Sequence, residues 1–159
     1  MDITVKGGTK KQRELSLSIA YFCVGMLMPR MQSLNVEIFL KKFTAEDPEV
    51  NETDHGYAIP TEDEAYPRFF EIEVNKNVKL RRVLETVAHE MVHVKQFARG
   101  ELYESTRLGK HRWNGKWLKK NPDYWDQPWE IEAHGREIGL FIRWAEKEGY
   151  SKRKWVKDA

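Results

Sequence analysis

Two histidines one helical turn apart constrain this chain more than any other feature. His89-Glu90-Met91-Val92-His93 stands in the middle of a stretch from Lys79 to Arg99 that reads as one long helix. At 100° per residue, His89 and His93 lie about 40° apart, one above the other on a single face. With His89 set at zero, Val83, Leu84, Val87, Met91, Val94 and Ala98 fall between about 120° and 220°, an apolar arc opposite the histidines. Glu85 and Gln96 flank the histidine face. Such a helix is expected to bury its back and turn both imidazoles toward a cleft. There the rings can converge on one metal ion, while Glu90, rotated by about 100°, borders the ion without binding it. A carboxylate so placed can take a proton from a metal-activated water and pass it to a leaving amine.

A catalytic zinc site needs three protein ligands and an open position. His55, His111 and His134 are the remaining histidines, and Cys23 is the single cysteine. The third ligand is therefore one of those histidines or a carboxylate. The last helix is expected to start near Asp126-Gln127-Pro128 and to end at Gly149. Asp126 would be its N-cap, Pro128 would sit in its first turn and Gly149 would be its C-cap. Glu130, Ala133, His134 and Glu137 share one face of that helix, and the small Ala133 permits close approach to the histidine helix.

On these residues the chain resembles the zincin metallopeptidases. His89 to His93 is similar to their signature. Glu130-Ile131-Glu132-Ala133-His134 resembles the downstream element of the gluzincins: a Glu ligand, a small residue three positions on and an Asp or Asn at the fourth. The resemblance implies an enzyme, a zinc-dependent metallopeptidase acting on a protein or peptide. One Zn²⁺ would be held by His89, His93 and Glu130, with Glu90 as general base. Position 134 departs from the pattern. His134 stands where an Asp or Asn normally orients a ligand histidine, so it is expected either to orient one or to ligate. A second zincin group, the SprT-like proteases, takes a histidine as third ligand. His111 would fill that role and would imply DNA-associated protein as substrate. Glu130 is preferred because its small and polar neighbours stand at matching offsets. The family also implies an oxyanion-steadying side chain, for which Tyr103, Tyr124 and His134 are candidates. It further implies a strand before the active helix whose edge takes an extended substrate, and Phe69 to Val74 is the expected strand. Outside the enzymes, the alternative is a binding module stabilised by its metal.

The expected fold is α+β and zincin-like: a small, mostly antiparallel sheet packed on the histidine helix, with further helices at both ends. A first helix covers Leu15 to Met28 and stops at Pro29. Strands follow at Leu34–Leu40, Gly56–Pro60 and Phe69–Val74. Asn114-Gly115 then marks a tight hairpin between Trp113 and Trp117. The 159 residues, 40% of them hydrophobic, suit one domain over 1–159.

Charge is balanced overall, 27 basic against 25 acidic residues, which argues against disorder and against a strongly polyanionic partner. Locally it is divided. From Thr44 to Pro67 there are eight acids (Glu46, Asp47, Glu49, Glu52, Asp54, Glu62, Asp63, Glu64) and no Lys or Arg. That is expected to be a solvated loop that favours basic substrates if it lies near the site. From Arg107 to Lys120 the sign reverses. Lys110, Arg112, Lys116 and Lys119 are interleaved with Trp113 and Trp117. The expectation is a solvated hairpin whose tryptophans cover the core, with weak nucleic-acid contact over 107–120 as the sharper reading. Leu15 to Met28 is too short to span a bilayer and is followed by no small-residue cleavage site. Together with one cysteine in an apolar stretch, this leads to the expectation of a cytoplasmic protein that makes no membrane contact.

Overall fold

Alternation of apolar residues builds the main sheet from β1 (Asp2–Gly7), β2 (Asn35–Lys41), β3 (Gly56–Pro60) and β4 (Phe69–Asn75), in the order β1-β2-β4-β3. The structure is a computed structural model that describes residues 1–44, 55–61 and 64–159. Val36, Ile38 and Leu40 of β2 and Phe70, Ile72 and Val74 of β4 are buried on one face, while Glu37 and Glu71 are exposed on the other.

The strand directions correct the expectation of a mostly antiparallel sheet. β1 pairs with β2 and β2 with β4 in parallel, and only β3 runs antiparallel to β4. The reason is β1, which the sequence reading did not include, although Ile3 and Val5 alternate just before Gly7-Gly8. The helix after it, α1 (Lys10–Leu27), supplies the crossover that parallel strands need. Thr9 and Gln12 close a reciprocal capping box at the start of α1, and the helix stops at Met28, just before Pro29.

The histidine helix, α2 (Leu80–Ala98), is buried from Val83 to Ala98 without interruption, not along its back alone. It lies against α1, β3, β4 and the long C-terminal helix α3 (Pro128–Glu148). Two charges caught inside, Glu85 and Lys95, are paired, as burial demands. Glu85 accepts from Arg81 at 2.7 Å and Arg82 at 3.1 Å, and Lys95 donates to Glu101 at 2.6 Å and Glu132 at 2.8 Å.

Between α2 and α3 a second, antiparallel sheet is made of β5 (Leu102–Ser105), β6 (Lys110–Trp113) and β7 (Lys116–Trp117). Asn114 and Gly115, at φ 48° and 81°, form the expected two-residue turn. Its tryptophans divide: Trp113 packs 6.2 Å from Trp129, whereas Trp117 is exposed under the Arg112 guanidinium. Tyr124–Asp126 is a single 3-10 turn, and the N-cap of α3 is Gln127. Asp126 is thus not the cap, because its backbone belongs to that turn. Pro128 opens α3, Gly149 caps it, and a one-turn helix, α4 (Lys154–Lys157), ends the chain.

Of the acidic run, Glu46, Asp47, Glu49, Glu52, Asp54, Glu62 and Asp63 lie outside the described residues, and Glu64 is exposed. No helix among the described residues is long and apolar enough to cross a membrane. Cys23 is a free, fully buried thiol whose pKa is pushed up by burial.

Candidate metal centre

Three donor side chains meet where α2 and α3 pack. His89 Nε2 and His93 Nε2 are 3.2 Å apart, Glu130 Oε2 is 3.2 Å from the first and Glu130 Oε1 is 3.2 Å from the second. The one-turn spacing on α2 sets the two imidazoles edge to face, their centroids 4.9 Å apart. Glu130 reaches them from the first turn of α3, across the buried Ala133.

The far nitrogens of both rings are anchored. His89 Nδ1 donates to Glu137 Oε2 at 2.7 Å, and Glu137 also accepts from Arg82 at 3.1 Å. His93 Nδ1 lies 2.8 Å from Gln96 Oε1. The orientation of that amide follows from its other partners. Gln96 Nε2 donates to the Trp129 carbonyl and to Glu132, each at 2.9 Å, so its oxygen must face His93 and accept. With hydrogen on Nδ1, a neutral imidazole turns its Nε2 lone pair inward. Two such lone pairs and a carboxylate at mutual distances of 3.2 Å require a positive centre among them. That centre is either protons or a metal. Donors around one tetrahedral zinc, each about 2.0–2.1 Å from it, stand roughly 3.3 Å apart. The donor set therefore fits such an ion.

Protonation reflects the same crowding. Burial disfavours the His89 imidazolium, but Glu130 and Glu137 outweigh it and raise its pKa to about 10. His93 is raised in the same way, burial opposing and Glu130 prevailing. Glu130 is held well below the ordinary carboxylate range, the two histidines overriding its burial. Glu90 moves the other way: burial raises its pKa, with His93 and His89 opposing. Its Oε2 is buried and has no hydrogen-bond partner among the described residues. The Glu90 side chain borders the trio and lines the same cavity, about 220 Å³, with Tyr57, Phe97 and Trp129.

The other proposed positions sort themselves by distance. His111 stacks on Trp129 with ring centroids 4.9 Å apart, and its nitrogens meet Asn121 at 2.7 Å and Glu104 at 3.2 Å. Among the described residues it joins no converging group, and neither does His55, just before β3. His134 packs edge-on against His89 at 4.5 Å and forms a second converging group with His89 and Glu137. It does not orient His89, because Glu137 already takes Nδ1. Tyr124 stands at the cavity mouth, its hydroxyl donating to Glu130 Oε2 at 3.0 Å and lying 2.8 Å from His134 Nε2. Tyr103 lies outside the cavity lining, packed on Trp117 and Arg112.

One further correction concerns a neighbouring strand. Phe69 to Val74 cannot offer an edge, because β4 is paired on both sides. The terminal strand beside the cavity is β3. A Cβ on Gly56 would come within 2.7 Å of Thr86 and 3.2 Å of Glu90 Oε1, so only glycine lets β3 approach α2 there. Besides Gln96, the site residue to which the sequence gives no role is Glu137. Its signal was position, seven residues and two turns beyond Glu130 on one face. Comparison of the chain with protein-family models, with curated proteins and with solved structures gave no match.

Proposed function

We propose that this chain is a zincin-like, zinc-dependent metallopeptidase that hydrolyses peptide bonds in protein or peptide substrates. The observation that carries the reading is the trio of inward-facing donors, with a buried, partnerless Glu90 oxygen beside it. His89, His93 and Glu130 would hold the ion, while Glu137 and Gln96 fix the tautomers that aim the two rings. Zinc, when bound, supplies a Lewis acid that polarises a carbonyl and lowers the pKa of a water to about 7. Glu90 takes the proton of the attacking water. It then passes that proton to the leaving nitrogen. Tyr124 is the best-placed candidate to donate to the developing oxyanion, and β3 is the strand to which an extended substrate would add.

The SprT-like alternative needs His111 as ligand. The stacking of that ring on Trp129 supports Glu130 instead. Weak single-stranded nucleic-acid contact over 107–120 is an additional reading. It is favoured by Arg112, which lies 5.0 Å from the ring of Tyr103 and 5.6 Å from that of Trp117. Its test is oligonucleotide binding that weakens with salt and with Trp117→Ala. The free, buried Cys23 fits a cytoplasmic setting.

Elemental analysis of the purified chain, joined to cleavage assays on unstructured proteins, tests the main reading. About one zinc per chain is expected. Glu90→Gln should keep that zinc and lower cleavage by roughly 10²- to 10⁴-fold. A protein that binds no transition metal defeats the proposal. One that binds zinc but cleaves nothing is instead the metal-stabilised binding module.

A further inference from the structure

The cavity that holds the donor trio has a further wall that the proposed chemistry leaves unused. Phe97 stands one turn beyond His93 on the same face of α2. With Leu102 and Trp129 it makes that wall apolar, the three being 6%, 2% and 4% exposed. Glu104 lines the cavity as well. It lies two residues after Leu102 on β5, so both side chains leave the strand on one side. Leu102 is buried and the Glu104 side chain is 52% exposed, so that side of β5 passes from an apolar floor to a wet, anionic rim.

No Lys or Arg among the described residues pairs with Glu104 or lines the cavity. The partner Glu104 does have is His111, whose Nε2 lies 3.2 Å from its Oε1. His111 Nδ1 meets the Asn121 side-chain oxygen at 2.7 Å. That oxygen only accepts, so Nδ1 carries the hydrogen, and the neutral ring turns its Nε2 lone pair toward Glu104. Two acceptors so placed take a donor from outside. Glu90 and Glu130, the other carboxylates of the cavity, are committed to the proposed metal chemistry, and Glu104 is not.

We infer that this part of the cavity is a subsite for a lysine or arginine side chain beside the scissile bond, its stem on Phe97, Leu102 and Trp129 and its cationic head at Glu104. The subsite rests on the peptidase reading for the bond that is cut, and not for the binding of the side chain. Lys and Arg carry an apolar stem and a charge that stays at the water's edge, which is how the wall changes character from floor to rim. A norleucine side chain would cover the same wall and leave Glu104 and His111 without a donor. A glutamate side chain would enter a cavity already walled by Glu90, Glu104 and Glu130, with no Lys or Arg among the described residues to balance it.

The test uses a fluorescent glycine–alanine peptide with one central guest residue: lysine, arginine, norleucine or glutamate. Binding is read by fluorescence anisotropy with the Glu90→Gln chain, and cleavage by mass spectrometry with the native chain. The lysine and arginine peptides should bind roughly tenfold or more tightly than the norleucine peptide, the size of effect that one hydrogen bond to a charged group gives. They should also be cut beside the guest residue. Glu104→Gln should bring lysine and norleucine together, and Glu104→Lys should favour glutamate over lysine. A merely structural role for Glu104 would produce no such reversal. Its side chain stands at the rim, so zinc content and circular dichroism of both variants should match those of the native chain. A lysine preference in binding with no peptide cut defeats the peptidase reading and leaves the subsite standing. A lysine peptide bound no better than the norleucine peptide overturns the subsite, and so does a lysine preference that outlasts Glu104→Gln.

Discussion

At the scale of single residues, the proposed centre rests on groups behind its three donor side chains. Glu137 holds His89 by Nδ1 and is itself held by Arg82. Carboxylates behind ligand histidines usually contribute 10- to 100-fold in metal affinity. Glu137→Ala should weaken zinc binding by roughly that factor, measured against a competing chelator. His111→Ala should leave affinity unchanged, and a site emptied by that change would return the third ligand to His111. Protons compete for the same atoms. In the metal-free protein the His89 pKa is raised to about 10, against an ordinary value of about 6.5. Its ionised form is therefore favoured by folding. The sign follows: this stabilisation is whole below about pH 6.5 and is lost as pH climbs through about 10. Melting temperatures of chelator-treated protein should fall across that window, and the fall should shrink in His89→Ala.

At the scale of elements, β3 meets α2 closely beside the site. Gly56 has no room for a Cβ against Thr86 and the Glu73 carbonyl. Gly56→Ala should force the strand outward. Overpacking of this kind costs about 1–3 kcal/mol. For a chain of this size that is a fall of roughly 2–10 °C in melting temperature, readable by calorimetry. Cleavage should drop with it, since β3 forms the wall beside Glu90. An unchanged melting curve would mean that the strand is loosely held. α2 itself is a different case. It is enclosed by helices and strands, and its buried Glu85 and Lys95 are held there by Arg81 and Arg82 and by Glu101 and Glu132.

At the scale of the whole molecule, the centre joins its two longest helices. His89 and His93 come from α2 and Glu130 from α3, so an ion bound by all three would act as a cross-link. A ligand present at about 100 times its dissociation constant adds about 2.7 kcal/mol to stability. Removing zinc with a chelator should lower the melting temperature by roughly 5–10 °C, and adding it back should restore the value. The same cycle in Glu130→Ala should show a much smaller shift.

What the sequence determined by itself is local and periodic. The phase of His89 and His93, the alternation in β2 and β4, the turn at Asn114-Gly115 and the stop of α3 at Gly149 each depend on residues a few positions apart, where covalent geometry dictates the answer. Glu130 and Ala133 were legible as one face for the same reason. Only the tertiary structure decided how distant segments meet. Strand direction turned on pairing between β1, β2 and β4, whose periodicity is identical in either direction. The oxygen that takes His89 Nδ1 came from Glu137 and not from His134, a choice set by how α3 rotates against α2. His111 was a chemically sound ligand, and it was removed from the centre by an aromatic contact with Trp129. Side-chain identity limits which atoms can bind, but convergence within a few ångströms is a property of packing between elements far apart in the chain.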